Sequence, residues 1–323
     1  MENKTKFSYK VSVTAPKEYP VEVYCGYLST DKNFITTVPK DGIERQGWIA
    51  QGSSSGSGGS TIPNFVELTW LSYAEKKFWK LETQLPTDKM LALFREGFIF
   101  KNSRKNDTIT HETYDRIVIG TAPGGVVVIW LDGGLKRVEI GRYQAKDTIV
   151  DRNNFYRNPK DLTQEEFYKE GFEIDVSKEI QAKINKEGIP FGLWDNYRKK
   201  YNWRFNCNFY KDDKNIFQNI NFFNGEYITL YEDELKNKAF KNQALPYRAD
   251  ITFNTYWCEN EFDEKEIFDA FKTMDKKHPD ADIEIEVRPD FMYKSVQFTV
   301  KCKEDEILLK KTKVQMWKRN LEK

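Results

Sequence analysis

The sequence has almost no histidine. Two occur in 323 residues, His111 and His278, each in a polar stretch beside an expected turn. Surface positions are expected for both, so neither reads as a general base, and a pair so far apart does not make a histidine-rich metal site. Cysteine is also scarce. Cys25, Cys207, Cys258 and Cys302 are scattered and none forms a C-x-x-C pair, which argues against a zinc site. Each falls inside an expected strand, where a buried thiol is favoured over a disulfide. No charge of one sign dominates: 51 Lys and Arg face 50 Asp and Glu, for a net charge of +1. The basic excess or stripe that tracks a phosphate backbone is missing, and the runs Arg198-Lys199-Lys200 and Lys310-Lys311 are offset by acidic clusters elsewhere. No nucleic-acid partner is expected. No apolar run approaches the roughly 20 residues of a membrane span. Met1-Glu2-Asn3-Lys4 carries no secretion signal as written. Two locations follow as expectations: periplasmic or outer-membrane if a signal peptide has been trimmed, cytoplasmic otherwise.

What is present is material for a β-rich core. Hydrophobic residues make up 39%, of which the aromatic share, 15% of the chain, suits strands better than a helical bundle. The length fits two domains or one large β architecture. Alternation with a period of two predicts strands over Phe7 to Ala15 and Pro20 to Leu28, with Pro16 between them. The tract Gly52 to Ser60 has linker composition and is expected to stay mobile. Strands over Phe65 to Ser72 and Phe78 to Thr83 precede a helix opened by Leu85-Pro86-Thr87-Asp88 and closed by Gly97. Arg116 to Ala122 and Val126 to Leu131 form a hairpin about Pro123-Gly124-Gly125, and Arg137 to Tyr143 follows.

A polar stretch from about Lys146 to Lys200 carries helical segments at Leu162 to Tyr168 and Ser177 to Lys186. The plan then recurs. Strands are expected at Trp203 to Tyr210, Ile220 to Phe223, Tyr227 to Tyr231 and, led by Leu245-Pro246, at Ala249 to Cys258. A helix from Asp263 to Lys276, a Pro289-centred pair (Ile283 to Val287 and Ser295 to Val300) and a last strand, Glu306 to Met316, complete it. The fold class that results is α+β and β-rich: two similar halves of antiparallel sheet, sandwich-like, each with one main helix, joined by a partly helical linking region. The divisions are 1–146, 147–200 and 201–323. The repeat is one of element order, with little residue identity, and chance recurrence of common β motifs is its alternative.

Motifs that would carry chemistry fail on context. Gly52-Ser53-Ser54-Ser55-Gly56 spells G-x-S-x-G, but a nucleophile elbow needs a strand before the serine and a helix after it. Gly120 to Gly125 lacks the G-K-[S/T] and the following helix of a phosphate cradle. Asp212-Asp213 and Glu165-Glu166 are neighbours in polar segments, without the concave site that paired glycosidase carboxylates require. In Gly192 to Phe205, Trp194, Tyr197 and Trp203 are suited to stacking sugars or bases. Alternatively, Leu193, Trp194, Tyr197 and Tyr201 form one buried stripe at helical spacing. No catalytic residue, cofactor or metal is expected.

Several stretches resemble the bacterial family called domain of unknown function 2931. They are Ala15-Pro16-Lys17-Glu18-Tyr19-Pro20-Val21, Gly47-Trp48 before the glycine-rich loop, Leu68-Thr69-Trp70-Leu71-Ser72 and Leu85-Pro86. The most specific is Ile117-Val118-Ile119-Gly120-Thr121-Ala122-Pro123-Gly124-Gly125 running on to Ile129-Trp130-Leu131; Ile189-Pro190-Phe191-Gly192 with Trp194-Asp195-Asn196-Tyr197 and Trp203 also fits. The resemblance spans roughly 7–225. It implies a lipoprotein, a pattern this chain departs from in lacking a signal and lipidated cysteine, so that contact with a membrane would come only through an anchor absent here. It further implies an immunity protein that neutralises a lipase-type toxin of the type VI secretion system. The leading expectation is therefore a non-catalytic module that occludes a toxin's active site. Trp48, Gln51, Ser54, Ser57 and Thr61 are the expected partner-binding residues, with Trp48 as the aromatic anchor. The alternatives are a cell-envelope lipoprotein that binds a glycan or lipid and, behind it, a hydrolase of unrecognised type.

Overall fold

The computed structural model describes residues 4–31, 33–40, 42–54, 59–102, 108–155, 162–207, 213–236 and 239–319. The fold is α+β and β-rich, and the chain divides into two compact units, Met1–Trp194 and Asp195–Lys323.

In the first unit, strand Lys6–Thr14 turns Phe7, Tyr9, Val11 and Val13 inward, as its period of two requires. It pairs in parallel with Arg116–Ala122, matching Val11 with Ile117 and Val13 with Ile119. Antiparallel strands Val126–Asp132 and Lys136–Gln144 extend that sheet. A second, antiparallel sheet runs in the order Lys146–Thr148, Lys77–Gln84, Phe65–Ser72, Val21–Ser29, Phe34–Thr37. The facing sides of the two sheets share one core, with Val23, Leu68 and Trp70 in the same buried cluster as Ile119 and Ile129. Helix Thr87–Glu96 adds Met90 and Phe94, both fully buried, and Phe94 stacks on Phe7 at 5.1 Å. Burying one such ring is worth roughly 1.5–3 kcal/mol. The helix stops at Gly97, whose φ of 58° is left-handed and whose N–H closes on the Leu93 carbonyl.

The second unit repeats this plan strand for strand. Tyr201–Cys207 pairs in parallel with Ile283–Pro289, and Val296–Cys302 and Asp305–Leu309 follow antiparallel. Its other sheet runs Lys313–Lys318, Tyr256–Glu261, Pro246–Phe253, Asn215–Phe222, Tyr227–Tyr231. Helix Glu264–Lys277 buries Ile267, Ala270, Phe271 and Met274, and lies between the sheets' strands in the same chain order as its counterpart. Even the minor edge strands correspond. Ser53–Ser54 lies antiparallel to Lys6–Thr14, and Lys241–Gln243 lies antiparallel to Tyr201–Cys207. Each precedes a proline-led strand, after Ile62-Pro63 and at Leu245-Pro246.

Several expectations need correction. The halves are not wholly antiparallel. Each contains one parallel pair, because the strands of the other sheet and the helix intervene and return the chain to the end where it began. Ala249 to Cys258 is not one strand but the hairpin Pro246–Phe253 and Tyr256–Glu261. It turns at Asn254 and Thr255, both held by the Asp213 carboxylate at 2.9 and 3.1 Å. Glu306 to Met316 is likewise two strands, Asp305–Leu309 and Lys313–Lys318, in different sheets. The corner between them is fixed by Glu266, whose carboxylate accepts the backbone N–H groups of Lys310 and Lys311 at 2.8 and 2.9 Å. Tyr201 begins a strand and so does not continue the helical stripe of Leu193 and Trp194. The strand expected at Trp203 to Tyr210 is Tyr201–Cys207, and 208–210 lie outside the described residues. All four cysteines are thiols.

Residues 147–194 belong to the first unit. Helix Gln164–Asp175 opens with a capping box between Thr163 and Glu166, and helix Lys178–Glu187 is capped by Ser177. Phe155 and Tyr168 set their rings against Phe78 at 5.1 and 6.0 Å, and Lys76 lies over the Phe172 ring at 4.3 Å. This segment therefore covers the side of the Lys77–Gln84 sheet that faces away from the core.

Candidate functional site

The expected binding loop begins at Gly47, whose N–H bonds to the Ala15 carbonyl at 3.0 Å and whose carbonyl accepts from the Thr14 hydroxyl at 2.6 Å. That anchors the turn against the end of strand Lys6–Thr14 and sends Trp48 inward. The indole is 7% exposed, edge-on to Trp130 at 5.0 Å and 6.3 Å from Trp194, which in turn meets Tyr19 at 5.5 Å. Trp48 is thus a core residue of this layer and cannot serve as the interface anchor expected of it. Its burial follows from Trp130 and Trp194, which come from 80 or more positions away and supply the apolar walls.

An ion pair lies under the same turn. Arg137 and Asp132 are both fully buried; Nε and Nη2 of the guanidinium donate to Asp132 Oδ2 at 2.8 and 2.5 Å. Its remaining donors reach the carbonyls of Ile49 at 2.9 Å and Ala50 at 3.2 Å. A planar fork suits one cation to a carboxylate and two carbonyls at once. Together Arg137 and Asp132 tie the Lys136–Gln144 hairpin to the loop.

Beyond the turn, Gly52 adopts φ 70°, and a Cβ there would lie 1.7 Å from the Val13 carbonyl oxygen. Only glycine allows so close an approach. Ser53 and Ser54 pair with Val13 and Ser12, and farther on Gly59 and Thr61 pair with Tyr9 and Lys6. The Tyr9 hydroxyl donates to the Thr61 carbonyl at 2.6 Å. The flanks of the tract are therefore an edge strand on the first sheet and not a linker; residues 55–58 lie outside the described residues. Of the expected contact residues, Gln51, Ser54 and Thr61 are exposed along this edge, Trp48 is buried away from them, and Ser57 lies outside the described residues.

A second feature of this unit has no counterpart among the described residues of the other. Between helix Thr87–Glu96 and strand Arg116–Ala122, the chain forms the hairpin Phe98–Asn102 and Thr108–Glu112, a two-stranded sheet paired only with itself. Its base is fixed. Phe98 meets Tyr114 edge-on at 5.5 Å, and the Thr113 hydroxyl caps the Phe94 carbonyl at 2.5 Å. Thr108 to Glu112 are all exposed, with Ile109 at 64% and Ile99 at 48%, while Phe100 and Lys101 are half-buried. His111 sits on this arm, opposite Ile99. The apolar run Phe98-Ile99-Phe100 and the alternation in Thr108-Ile109-Thr110 were the available signal for it.

The groups with displaced acidity are structural in their geometry. Tyr73 donates to the Glu22 carboxylate, and Arg45 meets Asp175 at 3.2 Å beside them. Burial pushes Glu22, Asp175 and the Tyr73 hydroxyl up, and the Tyr73 bond partly offsets the effect on Glu22. Glu22 and Tyr73, both buried, satisfy each other, and Arg45 ties helix Gln164–Asp175 to the strand region it covers. In the second unit, His278, Glu304 and Asp305 converge closely enough to hold a cation. Asp305, however, already accepts from Lys277 at 2.5 Å and contacts the His278 ring at 2.8 Å, which locks the end of helix Glu264–Lys277. The aromatic segment supplies Trp194 to the first unit's core and Trp203 to the second's, while Tyr197 packs on Phe223 and Phe268 at 5.3 and 5.8 Å. Packing thus occupies all three.

A family model described as "Protein of unknown function (DUF2931)" matches residues 1–192, a span that coincides closely with the first unit. Comparison with curated proteins and with solved structures finds no match.

Proposed function

Since the chain belongs to the DUF2931 family, we propose that it is a non-catalytic protein-binding module whose first unit docks a partner through the arm of strands Phe98–Asn102 and Thr108–Glu112. The observation that carries this is the exposure of Ile99 and Ile109 on a hairpin that neither sheet of the unit uses. An exposed hairpin offers unpaired backbone edges as well as apolar side chains, and either can be satisfied by a second protein. Five-residue strands extend about 17 Å, enough to enter a cleft. The partner in this reading is a lipase-type toxin of the type VI secretion system, met in the periplasm, whose apolar substrate cleft matches an isoleucine-bearing arm.

Co-expression of the full chain with a lipase-type toxin encoded beside it tests the proposal. The expected result is a recoverable complex and protection of the cell, with at least tenfold weaker binding when Ile99 and Ile109 are both changed to serine. A toxin that still kills, with no complex recovered, would sink the reading. A complex that the double change leaves intact would remove the arm from it.

A further inference from the structure

The second unit's sheet that ends on strand Lys313–Lys318 turns Ile220, Ile251 and Cys258 into the core, so the alternate residues stand on its outer side. There Trp317, Trp257, Thr252 and Phe217 occupy one row on four successive strands. The two indoles stack at 4.3 Å with 20° between their planes. That separation is close to one strand spacing, so both rings stand upright along their strands. The second face of Trp257 therefore looks across Thr252 toward Phe217. Trp257 and Phe217 rise from strands two apart, a distance of about 9.5 Å. Thr252 is too short to fill this width, which leaves a slot with an aromatic group on either side and a hydroxyl on its floor. One ring fits there, in contact at about 4 Å on each side. Trp257, Thr252 and Phe217 are half-buried, and Trp317 is 37% exposed.

The next row along the same strands is polar, with Gln315, Glu259, Asp250 and Asn219 side by side. Arg248 holds one oxygen of each carboxylate, Asp250 Oδ1 at 2.9 Å and Glu259 Oε2 at 2.7 Å. The other oxygen of each accepts no hydrogen bond among the described residues. An ionised carboxylate can only accept, and a hydroxyl that donates to one makes a short, strong bond.

We infer that this slot binds a neutral glycan, with one flat pyranose standing between Trp257 and Phe217 and its hydroxyls turned to Asp250, Glu259 and Thr252. A pyranose with equatorial hydroxyls has two C–H faces and a rim of donors. That is the complement of two aromatic walls beside a row of acceptors. Charge disfavours an anion. On this side of the sheet Asp250, Glu259 and Glu261 outnumber Arg248 and Lys313, and Lys313 is paired with Glu261 at 3.3 Å. An alkyl chain or a phenyl ring would displace water from the acceptors without replacing its hydrogen bonds. The site lies in the second unit and does not depend on the arm or its partner.

The probes are cellohexaose and chitohexaose, both neutral chains of flat pyranoses, titrated into the full chain by calorimetry. A cellouronate hexamer, the cellulose backbone with a carboxylate on every ring, is the comparison. At least one neutral hexasaccharide should bind, tenfold or more tightly than the uronate. Thr252→Phe fills the slot with a residue that strands accept and should abolish binding. Trp257→Ala should weaken it at least tenfold. Should either variant fold poorly by circular dichroism, the unaltered chain still reports. Bound hexasaccharide should slow oxidation of Trp257 by N-bromosuccinimide, read by peptide mass spectrometry. No binding of either neutral hexasaccharide at millimolar concentration would overturn the assignment, as would equal affinity for the uronate. A folded Thr252→Phe chain that binds undiminished, or oxidation of Trp257 unchanged at saturation, would overturn it too.

Discussion

The two units run one strand plan but treat the same sheet face differently. In the first, the side of the Lys77–Gln84 sheet turned from the core is covered by Phe155, Tyr168 and helix Gln164–Asp175. In the second, the corresponding face leaves Trp317 37% exposed. Register there aligns Tyr231, Phe217, Thr252, Trp257 and Trp317 in one row across five strands, with the two tryptophans stacked at 4.3 Å. Charge is disposed differently too. The last register pair of the closing hairpin is Asp132 with Arg137 in the first unit, fully buried, and Cys302 with Asp305 in the second, where Asp305 is partly exposed. Topology, then, fixes which strands pair. It does not fix what the loops bring to the faces and ends.

The sharpest way to break this comparison is Arg137→Met. It leaves Asp132 buried without its cation, and the expected loss is about 3–5 kcal/mol. Asp305→Asn, at the matching position, should cost far less because water screens its partners. Urea unfolding of both variants would decide, and equal losses would erase the distinction. Next in size is Gly52→Ala, which forces a Cβ into the Val13 carbonyl at a left-handed φ and should cost about 2 kcal/mol. The strand that corresponds to Ser53–Ser54 is entered through Phe240, which lies against Arg204 at 4.2 Å. Phe240→Ala should therefore lose only about 0.5–1 kcal/mol. The helices differ by a cap. Asp263 accepts the Glu266 N–H at 2.9 Å, whereas Pro86 makes no side-chain cap. Asp263→Ala should cost about 1 kcal/mol and Pro86→Ala less, as melting temperatures would show.

The smallest effect is one of sign. In the first unit burial raises Glu22, Glu44, Asp115 and Asp175, while Glu166, held by the Thr163 cap, is lowered. In the second, Asp269 is lowered by Lys265 and Asp305 by Lys277 and His278; Asp290 is lowered by backbone N–H groups, against an opposing desolvation. A raised carboxyl keeps its proton longer in the folded state. Its contribution is complete below the unfolded value of about 4 and is lost as pH rises through the folded one. A lowered carboxyl contributes above the unfolded value and loses that contribution as pH falls through the folded one. Mild acid, between neutrality and about pH 4, should therefore favour the first unit and leave the second unchanged until lower pH. Hydrogen exchange resolved by unit would measure this. Glu22→Gln, which keeps an acceptor for Tyr73, should flatten the first unit's response; a response that stays as steep would remove Glu22 as its source.

Much of the scaffold could be read from local pattern. Arg116–Ala122 and Tyr227–Tyr231 fall where their short apolar runs put them, and Pro123-Gly124-Gly125 makes its turn, because residue runs and turn chemistry are properties of neighbouring residues. Two-residue strands such as Ser53–Ser54 have no period to detect. The break in Glu306 to Met316 was hidden because both strands alternate and the corner depends on Glu266, some 44 positions away. The candidate site was the least legible part. Trp48 was expected outside and is inside. The arm that stands outside was missed, since two five-residue strands with one isoleucine each read equally well as core.

The sequence by itself determined the twofold order of strands and helix, the family, and the scarcity of histidine and cysteine. These follow from composition and short-range spacing. Only the tertiary structure decided which apolar groups find cover. Trp48 does, because Trp130 and Trp194 reach it, and Ile99 and Ile109 do not. The reason is that burial depends on surfaces that arrive from elsewhere in the chain, and no local pattern records their arrival.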